Sequence, residues 1–488
     1  MTGKRIQELI FKPFFLMLVI SVIGAYLRLH DLTVRSLWYD EAVLYHIANN
    51  DFSKLIHMNA AYNSAPPLYA LLIKFVMTFG NSEAILRSVS CVAGILSIPL
   101  IFHVGRLFVS PILALFPAIL VALSPQQIYY STQLREYSLS FFLAIWLIAT
   151  FCFFIKGPTV LRTLHLGAAI AISICTQYGL GLLVAAFNIV CAVYLLKTSD
   201  NKKKDFSLWG AAQLGGILAL YLVYMFGLKD QFSSGGFGAI YLAQGYGDGT
   251  LQGFLRLLGN TGDIFSFAFP TYFYPALCCL GILEALRTRD AKAWCALAFF
   301  FVPFMLVICM ATLRWYPYLG GRQLIFLTPM TYLFAALGLG FLASPNKYLR
   351  FLQGLSFLLM VGIGFLSCLL FKNLPGTSVE NLKPIVKELI KSVRPQDIVY
   401  VYYGATPAFR YYLGGAKLSW VEGIKSRDNP EQYFHQLDGL LNKQKRIWLI
   451  FSHVFMDEDD QILQYLQLKH KLFTAKEDNG AWLLVMEP

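Results

Sequence analysis

The side chains best suited to chemistry are two adjacent carboxylates, Asp40 and Glu41, in the run Ser36-Leu37-Trp38-Tyr39-Asp40-Glu41-Ala42. Neighbouring residues on a helix diverge by about 100°, so the two cannot address one atom. One can take a proton from a reacting hydroxyl while the other binds an ion or holds the loop. The same pair also suits a helix start, where acidic groups meet the positive end of the dipole. Further on, Ser64-Ala65-Pro66-Pro67-Leu68-Tyr69 opens an apolar run, Ala70–Phe79, that is too short to span a bilayer and must re-enter or lie flat. Three arginines complete the set. Arg135 lies in Ser131-Thr132-Gln133-Leu134-Arg135-Glu136-Tyr137, and Arg314 and Arg322 flank a short loop ending in Gly320-Gly321-Arg322. A guanidinium fork suits a phosphate, so Arg314 and Arg322 can form a cationic cup for an anionic headgroup. Arg135 can pair with Asp40, with Glu41 or with a lipid phosphate; snorkelling and interfacial anchoring account for such arginines equally well.

The elements that must position these groups are set by composition. The chain has 488 residues, 57% hydrophobic and only 14% charged, with 15% aromatic and a mean hydropathy of +0.56. A soluble protein of this size needs far more polar surface, and disorder, coiled coil, collagen and a small disulfide scaffold are excluded by the same figures. Apolar runs at Phe14–Leu27, Ala84–His103, Leu107–Leu123, Ser138–Ile155, Leu164–Thr176, Leu180–Leu196, Leu208–Leu228, Ile264–Leu286, Ala293–Thr312, Gln323–Ala343 and Leu349–Phe371 predict a polytopic α-helical membrane protein of about eleven transmembrane helices. A break near Gln177-Tyr178-Gly179 separates two of them.

The net charge of +12 sits among the spans. Residues after Leu370 carry 15 basic and 14 acidic groups, and the first 370 carry 25 and 14. That excess sets topology and gives no support to a nucleic-acid partner. Fifteen of the 25 basic residues fall in short loops on one side, among them Lys197, Lys202–Lys204, Arg287, Arg289 and Lys292. The positive-inside rule puts those loops and the N-terminus in the cytoplasm. The long segments Arg28–Glu83, Lys229–Asp263 and Lys372–Pro488 then face outward. The predicted division is a transmembrane catalytic domain over 1–371, with outer loops 28–83 and 229–263, and an extracytoplasmic α/β domain over 372–488. In that last part helices at Val379–Val393, Thr406–Leu413, Pro430–Asn442 and Asp457–Leu468 alternate with strands at Asp397–Tyr403, Arg446–His453 and Ala481–Met486.

Other candidates are weaker. The nine cysteines all lie in apolar stretches without CxxC spacing, so they read as small buried hydrophobes. The histidines never pair at i,i+3 or i,i+4, which leaves a divalent cation near Asp40 and Glu41, joined by His46 or His57, as the metal reading. Ser233–Gly249 holds six glycines and suits a mobile outer flap; no Lys-Ser/Thr follows to make a phosphate cradle.

Taken in order, Tyr39-Asp40-Glu41-Ala42, Pro66-Pro67-Leu68-Tyr69, Arg135-x-Tyr137 and Arg322 resemble the GT-C glycosyltransferases that use polyprenyl-phosphate sugars, such as the aminoarabinose transferases and protein O-mannosyltransferases. The resemblance implies a GT-C fold with a catalytic acid in the first outer loop. It makes Asp40 the catalytic carboxylate, with Glu41 assisting or holding the loop. Tyr39, Pro67, Tyr69, Arg135, Tyr137, Arg314 and Arg322 become substrate-binding candidates, and Arg322 the contact to the donor phosphate. Two positions depart from the family pattern: Ala65 stands where His or Lys is common, and Thr132-Gln133 where Gln-Glu is. The implied partners are a polyprenyl-phosphate-linked sugar donor, a lipid, glycan or protein acceptor, and membrane lipids. The implied reaction is sugar transfer to a hydroxyl on the extracytoplasmic face, with inversion. The rival class is a transporter or lipid flippase, which places ionisable residues at mid-membrane and shows repeat symmetry; here nearly all lie at span ends and in loops.

Overall fold

The structure, a computed structural model, describes residues 3–30, 32–233, 240–343, 347–373, 380–427, 429, 431–441, 445–468 and 472–486. The glycine-rich flap expected at Ser233–Gly249 lies partly outside them, at 234–239. The chain packs as two compact units: Met1–Asp31 with Asp51–Phe371, and Leu32–Asn50 with Lys372–Pro488.

The first unit is a bundle of apolar helices, and the protein is a multi-pass membrane protein. Among the described residues eight helices are long and apolar enough to cross a bilayer: Lys12–Leu29, Glu83–Gly105, Tyr137–Ile155, Tyr178–Thr198, Lys202–Gln231, Ala291–Thr312, Arg322–Phe341 and Lys347–Leu370. Three of the eleven expected runs differ, each for a local reason. Leu107–Leu123 yields only the short helix Leu115–Leu123, which stops at Ser124 before Pro125. Val160–Thr176 is a 17-residue helix, about 26 Å long at 1.5 Å per residue. Ile264–Leu286 is cut between helices Leu251–Ala268 and Phe273–Thr288, bent by 108°. Phe269 there has φ −152° and ψ 118°, as expected of a residue preceding proline. The anticipated break near Gln177 is present, with Gln177 extended at φ −151°.

The interior of the bundle is aromatic, with Phe187 on Phe299 at 4.7 Å and Phe300 on Phe334 at 4.5 Å. Helices Phe273–Thr288 and Thr328–Phe341 approach through Gly281 and Gly338: a side chain on either would overlap the carbonyls of Phe334 or Leu277. Small residues allow such close packing where lipid gives helices no hydrophobic reason to associate.

Arg28 closes the break at Pro125. Proline has no N–H, so the carbonyl of Val121 loses its helical partner. The guanidinium of Arg28, fully buried, donates to that oxygen at 2.9 Å and to Ala122 O at 3.3 Å, and also to Gly24 O and to Ser131 Oγ at 3.1 Å. Cys368 takes the next carbonyl, Leu123 O, at 3.0 Å.

The second unit is an α/β layer. Its five-stranded sheet uses β1 (Ile398–Val401), β2 (Trp420–Glu422), β3 (Ile447–Ser452), β4 (Leu472–Asp478) and β5 (Ala481–Met486), in the order β2-β1-β3-β5-β4. β2, β1 and β3 run parallel; β5 pairs antiparallel with both β3 and β4. All six residues of β3 are buried, in keeping with its unbroken apolar run. β2 and β4 were not expected. Both are edge strands, and β4 ends in Lys476-Glu477-Asp478, the charged pattern that protects an edge and hides it from a search for apolar runs.

Helix Tyr39–Ala48 belongs to this unit and packs on helix Thr406–Leu413. Tyr45 meets Tyr411 edge-on at 4.8 Å, and His46 Nε2 bonds Pro407 O at 2.9 Å. The preceding loop is stitched down by backbone and side-chain bonds. Leu37 N–H donates to Tyr412 Oη at 2.6 Å, Ser36 Oγ to Asn381 Oδ1 at 2.6 Å, and Lys383 N–H to Ser36 Oγ at 2.9 Å.

Candidate active site

The predicted site residues fall in two groups, one in each unit. The second unit holds Tyr39, Asp40 and Glu41 at the start of helix Tyr39–Ala48. Asp40 is half-buried. Glu41 is buried, and its Oε2 accepts the backbone N–H of Trp38 at 3.4 Å, the N3 half of a capping box. Glu41 thus helps secure the helix start, and Asp40, the carboxylate that the resemblance made catalytic, stands beside it in the first turn.

Residues the sequence reading did not single out hold this turn from outside. Tyr39 N–H donates to Glu380 Oε2 at 2.9 Å, and Glu380 Oε1 pairs with His453 Nδ1 at 2.6 Å. The His453 ring stacks on the Tyr39 ring with centroids 4.3 Å apart and planes 6° from parallel. Glu380 and His453 also line a cavity of about 270 Å³ with Asp459 and Trp482. Burial, followed by the neighbouring acids Asp460 and Asp457, pushes the Asp459 carboxyl above its ordinary pKa, although backbone N–H groups partly offset this.

The first unit brings together Tyr69, Arg135, Tyr137 and Arg322. Tyr137 is the hub: the guanidinium carbons of Arg135 and Arg322 each lie 5.6 Å from its ring centroid, within cation–π range. Arg135 Nη2 also reaches Tyr137 Oη at 3.5 Å, and its Nε lies 3.5 Å from Glu136 Oε2. Ser90 Oγ donates to Arg135 O at 2.7 Å and lies 2.7 Å from Tyr69 Oη. Ser90 has one proton, so Tyr69 donates to it. The Pro-Pro-Leu-Tyr motif is thus tied to the backbone of Arg135 through a serine. Pro66 and Pro67 are buried, and Pro67 O accepts the N–H of Leu71 at 3.0 Å to begin helix Leu68–Val76.

Tyrosines surround the hub. Tyr130 meets Tyr137 at 5.3 Å, and Tyr316 Oη donates to Gln323 O at 2.9 Å. Burial pushes both phenols upward; for Tyr130 Arg322 partly offsets this, and for Tyr316 the nearby Tyr137 adds to it. Both stay protonated at neutral pH and add no anion to compete with a phosphate. Gly320 passes so close to Asp263 that a side chain there would overlap it, so the loop leading to Arg322 needs glycine at that point. Arg314 sits differently: its side chain is exposed and its backbone is left-handed, φ 62°, in the turn that ends helix Ala291–Thr312.

Sequence spacing flagged Tyr69, Arg135, Tyr137 and Arg322 but missed Ser90, Tyr130, Glu380 and His453. Tyr129-Tyr130 directly before the Arg135 loop was a usable signal; the others are single polar residues in unremarkable surroundings. Among the described residues no three His, Cys, Asp or Glu side chains are grouped to hold a metal ion. His46 has committed Nε2 to Pro407 O, and His57 lies on helix Phe52–Tyr62 of the first unit.

Comparison with known proteins bears on this arrangement. The family described as dolichyl-phosphate-mannose-protein mannosyltransferase matches residues 64–226, a stretch with Pro67, Tyr69, Arg135 and Tyr137 but without Asp40, Arg314 or Arg322. No curated protein matches significantly by sequence. Among solved structures, ArnT from Cupriavidus metallidurans matches in its apo state with TM-score 0.57 and 14% identity, over 97% of each chain. The same protein bound to undecaprenyl phosphate gives 0.56 at the same identity and coverage. AglB, the oligosaccharyltransferase of Archaeoglobus fulgidus in complex with an inhibitory peptide and a dolichol-phosphate, gives 0.55 at 11% identity, over 97% of this chain and 74% of that one. The apolar bundle, the terminal α/β unit and these matches together give this chain the GT-C fold that its ordered motifs implied.

Proposed function

We propose that this protein is an integral-membrane glycosyltransferase that moves a sugar from a polyprenyl-phosphate donor to a hydroxyl on a lipid, glycan or protein acceptor. The observation that carries the reading is the convergence of Arg135 and Arg322, far apart in the chain, on the one ring of Tyr137. The polyprenyl phosphates named with ArnT and AglB, which share the fold, supply the matching ligand chemistry.

A sugar on a polyprenyl phosphate already carries a good leaving group, so no general acid is needed. The reaction needs a base for the acceptor and positive charge for the departing phosphate. Asp40 accepts the hydroxyl proton as the acceptor oxygen bonds to the anomeric carbon. The bond from that carbon to the phosphate oxygen breaks, and both its electrons leave with the polyprenyl phosphate. Arg322 and Arg135 stabilise the charge that builds on the phosphate, where preorganised donors act most strongly. The transition state is oxocarbenium-like, and attack opposite the leaving group inverts the anomeric centre. The proposed orientation places the N-terminus in the cytoplasm and the C-terminal unit outside, where donor lipid and acceptor meet. Arg28, Glu83 and Arg87 are ionisable residues buried near the ends of described spans rather than at mid-span, and Arg28 is engaged with backbone carbonyls, which favours the transferase over the transporter alternative.

The test is Asp40→Asn in the full chain, assayed with radiolabelled undecaprenyl-phosphate sugars, mannose included, and membrane extract as acceptor. A general base contributes about 10²–10⁴-fold. The variant should insert and melt as the parent does while transfer falls by at least about a hundredfold. Transfer at the parental rate refutes the assigned base.

A further inference from the structure

Helix Tyr39–Ala48 begins at a residue that cannot cap it. Trp38 occupies the N-cap position with φ −83° and ψ 176°, but an indole only donates. A helix start leaves N–H donors that need an acceptor, and Ser, Thr, Asp or Asn usually supplies one. Here it comes from the far end of the sequence. Glu380 Oε2 takes the N–H of Tyr39, and its negative charge sits at the positive end of the helix dipole.

Glu380 is itself held. Its other oxygen bonds His453 Nδ1 at 2.6 Å, and His453 lies flat on the Tyr39 ring. The three residues form a closed loop: backbone of Tyr39 to Glu380, Glu380 to His453, and His453 back to the ring of Tyr39. Tyr39 is thereby fixed both at its peptide and at its side chain, one residue before Asp40. Glu380 and His453 both hold left-handed backbone conformations, φ 69° and 53°, which residues with a Cβ seldom adopt. Such conformations persist where the surroundings demand them and cluster where function constrains geometry.

We propose that Glu380 and His453 are positioning residues that set the placement of Asp40 through Tyr39, a role that rests on Asp40 being the base. The C-terminal unit would then be part of the catalytic apparatus as the clamp on the acidic turn.

The test uses the full chain with Glu380→Gln and His453→Asn. Asparagine tolerates a positive φ and keeps an amide donor for Glu380 but loses the stack, which guards against simple misfolding. Hydrogen–deuterium exchange is followed on the peptide covering residues 37–44. Transfer is assayed beside it with the same undecaprenyl-phosphate sugars, and Asp40→Asn serves as reference. Turning the charge-assisted bond at Tyr39 into a neutral one in Glu380→Gln, or losing the ring stack in His453→Asn, should speed exchange in that peptide about tenfold and lower kcat about tenfold, with KM for the donor unchanged and exchange in β1, β3 and β5 unchanged. Parental exchange in the 37–44 peptide overturns the proposal whatever the activity. So does faster exchange throughout the C-terminal unit, because that marks a purely structural role. If Asp40→Asn is inactive while both variants turn over like the parent, the positioning role falls and the assigned base stands. If Asp40→Asn retains transfer, the assignment of the base falls first.

Discussion

Replacing Arg28 by methionine tests whether a buried cation closes the helix break at Pro125. The guanidinium satisfies two carbonyls, Val121 O at 2.9 Å and Ala122 O at 3.3 Å, inside the apolar bundle. Gly24 O is one helical turn before Arg28 and keeps its intrahelical partner, and Ser131 Oγ still donates to Gln127 O. Two carbonyls therefore lose their donors. Each buried orphan costs about 1–3 kcal/mol, which sums to about 2–6 kcal/mol. Removing the cation also removes its desolvation penalty, so the net loss expected is about 1–4 kcal/mol. The assay is thermal unfolding of the purified protein in lipid nanodiscs, read by intrinsic tryptophan fluorescence, in which Arg28→Met should melt several degrees early. A double-mutant cycle makes the cause specific. Pro125→Ala returns the N–H that lets the helix run on through Ser124 and bond Val121 O, so Arg28→Met should cost at least about 1 kcal/mol less in that background. An equal cost in both backgrounds, or a melting point for Arg28→Met no lower than the parent's, would refute the account.

The remaining predictions concern the site and the topology. Tyr137→Ala removes the ring shared by two guanidiniums, each worth about 0.5–1 kcal/mol, so KM for the undecaprenyl-phosphate sugar should rise about five- to thirtyfold. Tyr137→Phe keeps the ring and should stay near the parent, and equal effects from both would argue against the cation–π arrangement. A reporter fused after Pro488 should be active only on the extracytoplasmic side; a cytoplasmic signal would reverse the orientation.

Much of the bundle was legible because lipid leaves a chain few choices. Runs of apolar residues about 20 long must become helices, and spans such as Tyr137–Ile155 and Ala291–Thr312 coincide with such runs. Where the reading failed, a proline or a short run decided the matter locally: Pro125 ended one helix and Pro270 followed the bend in another. In the C-terminal unit, β3 and β5 were visible as apolar strands, whereas edge strand β2 is three residues long with none of them buried and β4 ends in charged residues, so neither leaves an apolar run.

The sequence by itself supplied the candidates: an acidic pair, the arginines and a Pro-Pro-Leu-Tyr turn, whose order resembles that of the polyprenyl-phosphate glycosyltransferases. Only the tertiary structure decided which of them lie together within each unit. It put Arg322 and Arg135 on one tyrosine ring, joined Tyr69 to Arg135 through Ser90, and packed the acidic turn on Glu380 and His453. Those contacts join segments tens to hundreds of residues apart, and no local propensity encodes them. They exist because buried polar groups must find partners, and the partners available depend on how the whole chain has packed.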